Sequence, residues 1–136
     1  MKRKLLFLFW LAGILFPMGW LRSYWPEYRA GFDAIFGPEW MHIFSHLVLF
    51  AGLGALLVLV FPQVGKRPLL TGALILLVGV LQESFQALSA GNLLPNAVFD
   101  LGVDLAGGLV GLWAARVFTE QRRRSSARTA RPGPSD

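Results

Sequence analysis

The chain has 136 residues, of which 54% are hydrophobic and only 15% charged, where a soluble globular domain carries ~25% charged residues. That balance, with a mean hydropathy of +0.52, excludes a disordered chain and argues against a soluble enzyme, and the length allows one domain. There is no cysteine, so disulfides, zinc–thiolate sites, iron–sulfur clusters and thiol catalysis are excluded. The net charge of +5 places basic residues beside lipid rather than on nucleic acid, because no aromatic interleaving accompanies the basic runs.

A helix needs ~20 mostly apolar residues to cross a bilayer, and four segments approach or meet that length: residues 5–21, 40–61, 69–88 and 97–118. They predict an all-α fold, a four-transmembrane-helix bundle forming a single membrane domain over residues 1–118. The first span follows Lys2-Arg3-Lys4 as a signal peptide would. Bulky or charged Trp20, Leu21, Arg22 and Trp25 stand where a cleavage site needs small residues, so the helix is expected to be retained. Between the first two spans, Trp25, Tyr28, Phe32, Ile35 and Phe36 recur at helical spacing, with Pro26 suited to a first turn and Gly37-Pro38 to a stop. They predict a short amphipathic helix in the outer interface, within an aromatic belt that also holds Trp20, Tyr24 and Trp40. Residues 119–136 are polar and basic and predict a disordered cytoplasmic tail.

Lys2, Arg3, Lys4, Lys66, Arg67, Arg116, Arg122, Arg123, Arg124, Arg128 and Arg131 fall on one side of such a bundle, leaving only Arg22 and Arg29 on the other. The positive-inside rule then predicts both termini in the cytoplasm, N-in and C-in.

The spans also carry polar residues that a bilayer penalises by ~2.5–3.5 kcal/mol each for the charged ones. His42 and His46 are spaced i, i+4; Glu83 and Gln86, i, i+3; Asp100 and Asp104, i, i+4. Each pair shares one helix face. All six fall within the outer ~10 Å of their helices at ~1.5 Å rise per residue, so three helices deliver polar groups to one level that faces outward. Asp100 and Asp104 continue into Gly107 and Gly111 along one stripe, and Gly72 and Gly79 lead into Glu83 and Gln86 along another. Glycines in membrane helices mark close helix approach, so Gly72, Gly79, Gly107 and Gly111 are expected to pack helices and to turn the acids toward the bundle.

Glu83-xx-Gln86, followed by Asp100-xxx-Asp104-xx-Gly107-xxx-Gly111, resembles the signature of VanZ-like membrane proteins, and His46 resembles the single His that those proteins place near the start of the second helix. The resemblance covers about residues 40–111. Three features depart from it: Asp104 stands where Asn is usual, His42-Ile43 where Asp-Lys often precedes the His, and no Arg or Lys lies between Gln86 and Asp100. The family includes a member linked to resistance to the glycopeptide teicoplanin, and the resemblance implies a multi-pass protein of the bacterial cytoplasmic membrane, acting at the cell envelope.

Three ionised carboxylates cannot sit together without compensation, and three readings of the cluster follow. It is a hydrogen-bonded lock on helix register; or a site for a divalent metal on His42, His46, Glu83 and Asp104; or a ligand-binding site, formed by His46, Glu83, Gln86, Asp100 and Asp104, for a polar or cationic group of an envelope lipid or glycopeptide. A Ser–His–Asp set drawn from Ser45, Ser84 or Ser89 has no nucleophile elbow or glycine loop beside it, which argues against catalysis. Membrane lipids are the expected partners, joined by other subunits if the chain is instead a small accessory component of a larger membrane complex. Small residues Ala51, Gly52, Gly54, Ala55 and Gly102 would serve that second role as docking positions.

Overall fold

The computed structural model describes residues 1–16, 18, 21, 24–90 and 96–129, except the side chains of 89, 90, 127 and 128. Six helices account for nearly all of them: α1 (Lys2–Leu15), α2 (Pro26–Phe36), α3 (Glu39–Val60), α4 (Pro62–Gly65), α5 (Pro68–Ala90) and α6 (Ala97–Thr129). No strand occurs among the described residues.

Three helices contain stretches long and apolar enough to cross a membrane: Glu39–Val60, Pro68–Leu88 and Ala97–Ser126. The surface of the described helices is inverted relative to a soluble bundle. Leu69, Val98, Phe9 and Trp113 are 89%, 82%, 76% and 66% exposed, whereas His46, Thr71, Gln82, Glu83, Asp100 and Asp104 are buried. Apolar residues outside and polar residues inside are what a lipid solvent selects. The first predicted span is described as helix only through Leu15, about 21 Å at ~1.5 Å per residue; its residues 17, 19 and 20 lie outside the described set.

The helix directions follow from the contacts. Phe7 of α1 meets Phe61, just past the end of α3, edge-to-face at 5.2 Å, and Trp10 Nε1 donates to Leu49 O at 2.8 Å. These contacts make α1 antiparallel to α3. On α5 and α6, Gly79 lies against Leu101 and Asp104, and Ile75 against Gly108, so that pair is antiparallel too. Helices α3 and α6 run parallel: His42 meets Asp100 and His46 meets Asp104, while Leu47 meets Gly107 and Ala51 meets Gly111. These two form the closest pair in the fold. A Cβ on Gly54 would run into the Gly108 carbonyl, one on Gly111 into the Ala51 carbonyl, and one on Gly107 would stand 3.0 Å from the Leu47 Cα. Since lipid tails are as apolar as leucine, such backbone-to-backbone packing is what holds membrane helices together. A core of Ile14, Phe50, Leu53, Leu57 and Ile75 closes the space between α1, α3 and α5.

Helix α2 begins on Pro26, and Gly37 N–H closes its last turn on Asp33 O at 2.9 Å, matching the start and stop expected from Pro26 and Gly37-Pro38. Tyr28, Phe32 and Phe36 form a ring stripe with centroids 5.7 and 4.9 Å apart. The short α4 between α3 and α5 has no counterpart in the sequence reading. It is held from outside itself, because Arg116 of α6 donates to Gly65 O and Thr71 Oγ1 reaches Val64 O at 2.9 Å and Arg67 O at 3.0 Å.

Where disorder was expected from residue 119 onward, residues 119–129 instead continue α6 as helix to Thr129. Strong helix formers (Glu120, Gln121 and Arg122 to Arg124) carry it beyond the apolar stretch. Glu120 and Arg124 pair at i, i+4 with 3.2 Å between them, Arg122 lies 4.6 Å over the Phe118 ring, and Thr119, Ser125 and Ser126 bond back to carbonyls one turn earlier. The extension packs no core, as its composition requires, and residues 130–136 lie outside the described set.

Candidate functional site

The parallel register of α3 and α6 converts two sequence spacings into two pairs. His42 and His46, one turn apart on α3, face Asp100 and Asp104, one turn apart on α6, with the same offset of 58 residues in both. His46 Nδ1 donates to Asp104 Oδ1 at 2.8 Å; the looser outer pair has His42 Nε2 at 3.4 Å from Asp100 Oδ2. The imidazoles lie 4.4 Å apart, inclined at 50°. Beneath them the Phe50 ring lies nearly parallel to His46 at 6.5 Å and is fully buried, so the polar level ends on an apolar floor.

Helix α5 adds the third wall. Its buried face runs Thr71, Ile75, Gly79, Gln82 and Glu83. Gly79 leaves the space that Asp104 fills, since a Cβ there would come within 3.0 Å of Asp104 Oδ2. Glu83 projects one turn further along. His46, Glu83 and Asp104 thus converge, one donor atom from each within 4.8 Å of the others, at exposures of 3%, 6% and 0%.

Two carboxylate oxygens in this trio, Glu83 Oε1 and Asp104 Oδ2, are buried and find no hydrogen-bond partner among the described residues; Gln82 Oε1 is in the same condition. Buried polar atoms in native proteins are nearly always paired, so the unpartnered oxygens on these two converging acids are completed by a proton, a water or an ion rather than by the described side chains. No lysine or arginine is available to compensate them from the surrounding helices. None occurs on α3 or α5, and the first on α6 is Arg116, which is engaged with Gly65 at the far end. The site is thus rich in acids and holds no guanidinium or ammonium group among the described residues.

Of the five residues expected to bind ligand, His46, Glu83 and Asp104 form the buried centre. Asp100 pairs with His42 one turn outward, and Gln86 is half-buried one turn along α5. Of the four expected around a metal, His42 stands apart from the trio on Asp100. Gly107 and Gly111 carry the α3–α6 contact and Gly79 admits Asp104, but a Cβ on Gly72 would meet nothing within 4 Å. The buried face of α5 passes through Thr71 instead, one residue off the expected stripe. The buried Gln82 was not singled out, although its i+3 spacing from Gly79 was a usable signal. Ser45 and Ser84 donate to Met41 O and Val80 O of their own helices, each at 2.7 Å, an arrangement that satisfies the hydroxyl locally. The Ser89 side chain and loop residues 91–95 lie outside the described set.

No family model, curated protein or solved structure matches the chain.

Proposed function

We propose that this chain is a VanZ-like, multi-pass protein of the bacterial cytoplasmic membrane that acts at the cell envelope, through an outward-facing polar site that holds a polar group of an envelope lipid or glycopeptide. The observation that carries the reading is the buried His46–Glu83–Asp104 centre with orphaned oxygens on both acids, set in helices whose remaining surface suits lipid. Such residues are costly inside a membrane and mark function by default. The Phe50 floor and the core of Leu53, Leu57 and Ile75 beneath it favour a site that opens to one side over a path across the bundle.

The second reading, an accessory subunit of a larger membrane complex, draws on the α6 extension, exposed over residues 120–126, which offers a basic arm to a partner. It has less support on the helices themselves. Gly52 receives the Trp10 ring, Gly54 receives Gly108, and Ala51 receives Gly111, so the small residues suited to docking are already used within the chain; Gly102 alone of the glycines considered for docking meets nothing within 4 Å.

Expression in a glycopeptide-sensitive bacterium tests the proposal. The intact chain should raise the inhibitory concentration of teicoplanin, and the double variant Glu83→Gln, Asp104→Asn should lose the effect at unchanged membrane abundance. No change in susceptibility with the intact chain, combined with stoichiometric recovery of a larger complex in mild detergent, would replace this reading with the accessory one.

A further inference from the structure

We infer that the site's ligand includes a divalent transition-metal ion, held by His46, Glu83 and Asp104. The inference rests on the preceding reading only in treating the trio as a binding site; it does not depend on where in the envelope the protein acts.

Four observations converge. First, the donor set comprises one imidazole and two carboxylates with no thiolate in the chain, which suits zinc, manganese or ferrous iron: imidazole favours the later metals and carboxylate the harder ones. Second, the spacing is close to what coordination needs. Ligand atoms around a tetrahedral zinc stand ~3.4 Å apart at bond lengths near 2.1 Å, and the three donors already lie within 4.8 Å of one another, so a rotation of side chains closes the difference. Third, Glu83 Oε1 and Asp104 Oδ2 are acceptors without a donor, on side chains 6% and 0% exposed; a metal ion satisfies both atoms and supplies the positive charge that α3 and α5 lack. Fourth, the trio lies one turn from the exposed side of the bundle: its outer neighbours are His42, with a side chain 41% exposed, and the Asp100 that His42 meets.

Loading would exchange the His46–Asp104 hydrogen bond for bonds to the ion: His46 Nδ1 releases the proton it holds against Asp104 Oδ1 to solvent and turns its lone pair to the metal, beside the carboxylate whose Oδ2 has no partner among the described residues. Three protein ligands leave at least one coordination position open, as in sites that bind or act on a further molecule rather than in closed structural ones.

The full chain, purified in mild detergent without chelator, should contain one equivalent of metal by elemental analysis. After stripping with EDTA it should take up one equivalent of zinc, melt at a higher temperature when loaded, and give a visible ligand-field band with cobalt(II). Glu83→Gln and Asp104→Asn should each lower zinc affinity by at least the ~10–100-fold that even outer partners of a metal ligand contribute, while Gly102→Ala, which touches nothing, should bind as the parent does. If Asp104→Asn fails to fold, Glu83→Gln carries the same test, because Glu83 Oε1 has no hydrogen bond to lose. A parent chain that takes up neither zinc nor cobalt overturns the inference, as does unchanged zinc affinity in Glu83→Gln. The teicoplanin measurement reports separately: a metal-free parent whose envelope effect still needs Glu83 would leave the proposed function standing and remove only the metal.

Discussion

Asp104 is fully enclosed, with Oδ1 on His46 and Oδ2 on no partner among the described residues, so what happens at position 46 depends on what is left behind. Replacing His46 with Leu removes the hydrogen bond and leaves a carboxylate buried among apolar side chains. Breaking a buried pair from one side costs ~3–5 kcal/mol, chiefly the penalty of the abandoned group. Asp104→Asn keeps an acceptor for His46 and removes the charge, so it should change stability by less than about 1 kcal/mol, the scale of most polar contacts between membrane helices. Thermal melts in detergent containing EDTA, which takes any metal out of the comparison, should therefore rank parent and Asp104→Asn together, with His46→Leu far below. Equal loss in both variants would mean that the pair matters through its charge and not through the unpaired acid. The six polar residues were legible from spacing alone, because His42/His46, Glu83/Gln86 and Asp100/Asp104 each fall on one face. What spacing withheld was which histidine meets which acid. That depends on α3 and α6 being parallel neighbours in register, a tertiary fact with no periodicity of its own. Gln82 was missed for a related reason, since the width of a buried helix face depends on its neighbours.

At the scale of helices, lipid makes prediction easy where the chain is apolar and hard elsewhere. The second and third spans expected at 40–61 and 69–88 appear as Glu39–Val60 and Pro68–Ala90, because a backbone in hydrocarbon has no alternative to satisfying itself. The end of α6 was not legible in that way: beyond Phe118 hydropathy stops reporting, while i, i+4 pairs and helix propensity continue the helix to Thr129. Nor was α4, whose stability comes from Arg116 and Thr71 on other helices. The glycine stripes predicted packing, but only geometry separates the glycines that matter. Gly111→Ala would push a methyl group into the Ala51 carbonyl, and because that obstacle is backbone, α3 and α6 must separate. The cost should be ~1–3 kcal/mol, the usual penalty for overpacking. Gly72→Ala meets open space and should be neutral or stabilising by up to ~1 kcal/mol through helix propensity. Unfolding in mixed detergent micelles tests the pair of substitutions, and an equal response would refute the close α3–α6 approach.

For the whole molecule, the contacts place basic residues at one end and the polar site toward the other. Phe7, one turn from Lys2-Arg3-Lys4, touches Phe61; Lys66 and Arg67 follow α4 directly; and Arg116 bonds to Gly65. The His42–Asp100 pair lies at the opposite ends of α3 and α6 from these residues. The orientation that the positive-inside rule demands thus coincides with a physical separation in the bundle: basic residues at the end taken as cytoplasmic, carboxylates near the end taken as outer. The charge distribution and the bundle's polarity thus make the same prediction. Reporter fusions after Gly65 and after Thr129 should report cytoplasm, and one near Gly31, in α2, the outside. A cysteine introduced at Val98, 82% exposed near the start of α6, should react with a membrane-impermeant thiol reagent in intact cells, while one at Gln121 should react only after lysis, and the absence of native cysteine keeps the labelling clean. The two probes sit on one helix, so opposite accessibility requires α6 to cross the membrane with its aspartates outward. Labelling of Gln121 in intact cells would invert the bundle, turn the His46–Glu83–Asp104 site toward the cytoplasm, and remove the envelope reading whatever the site binds.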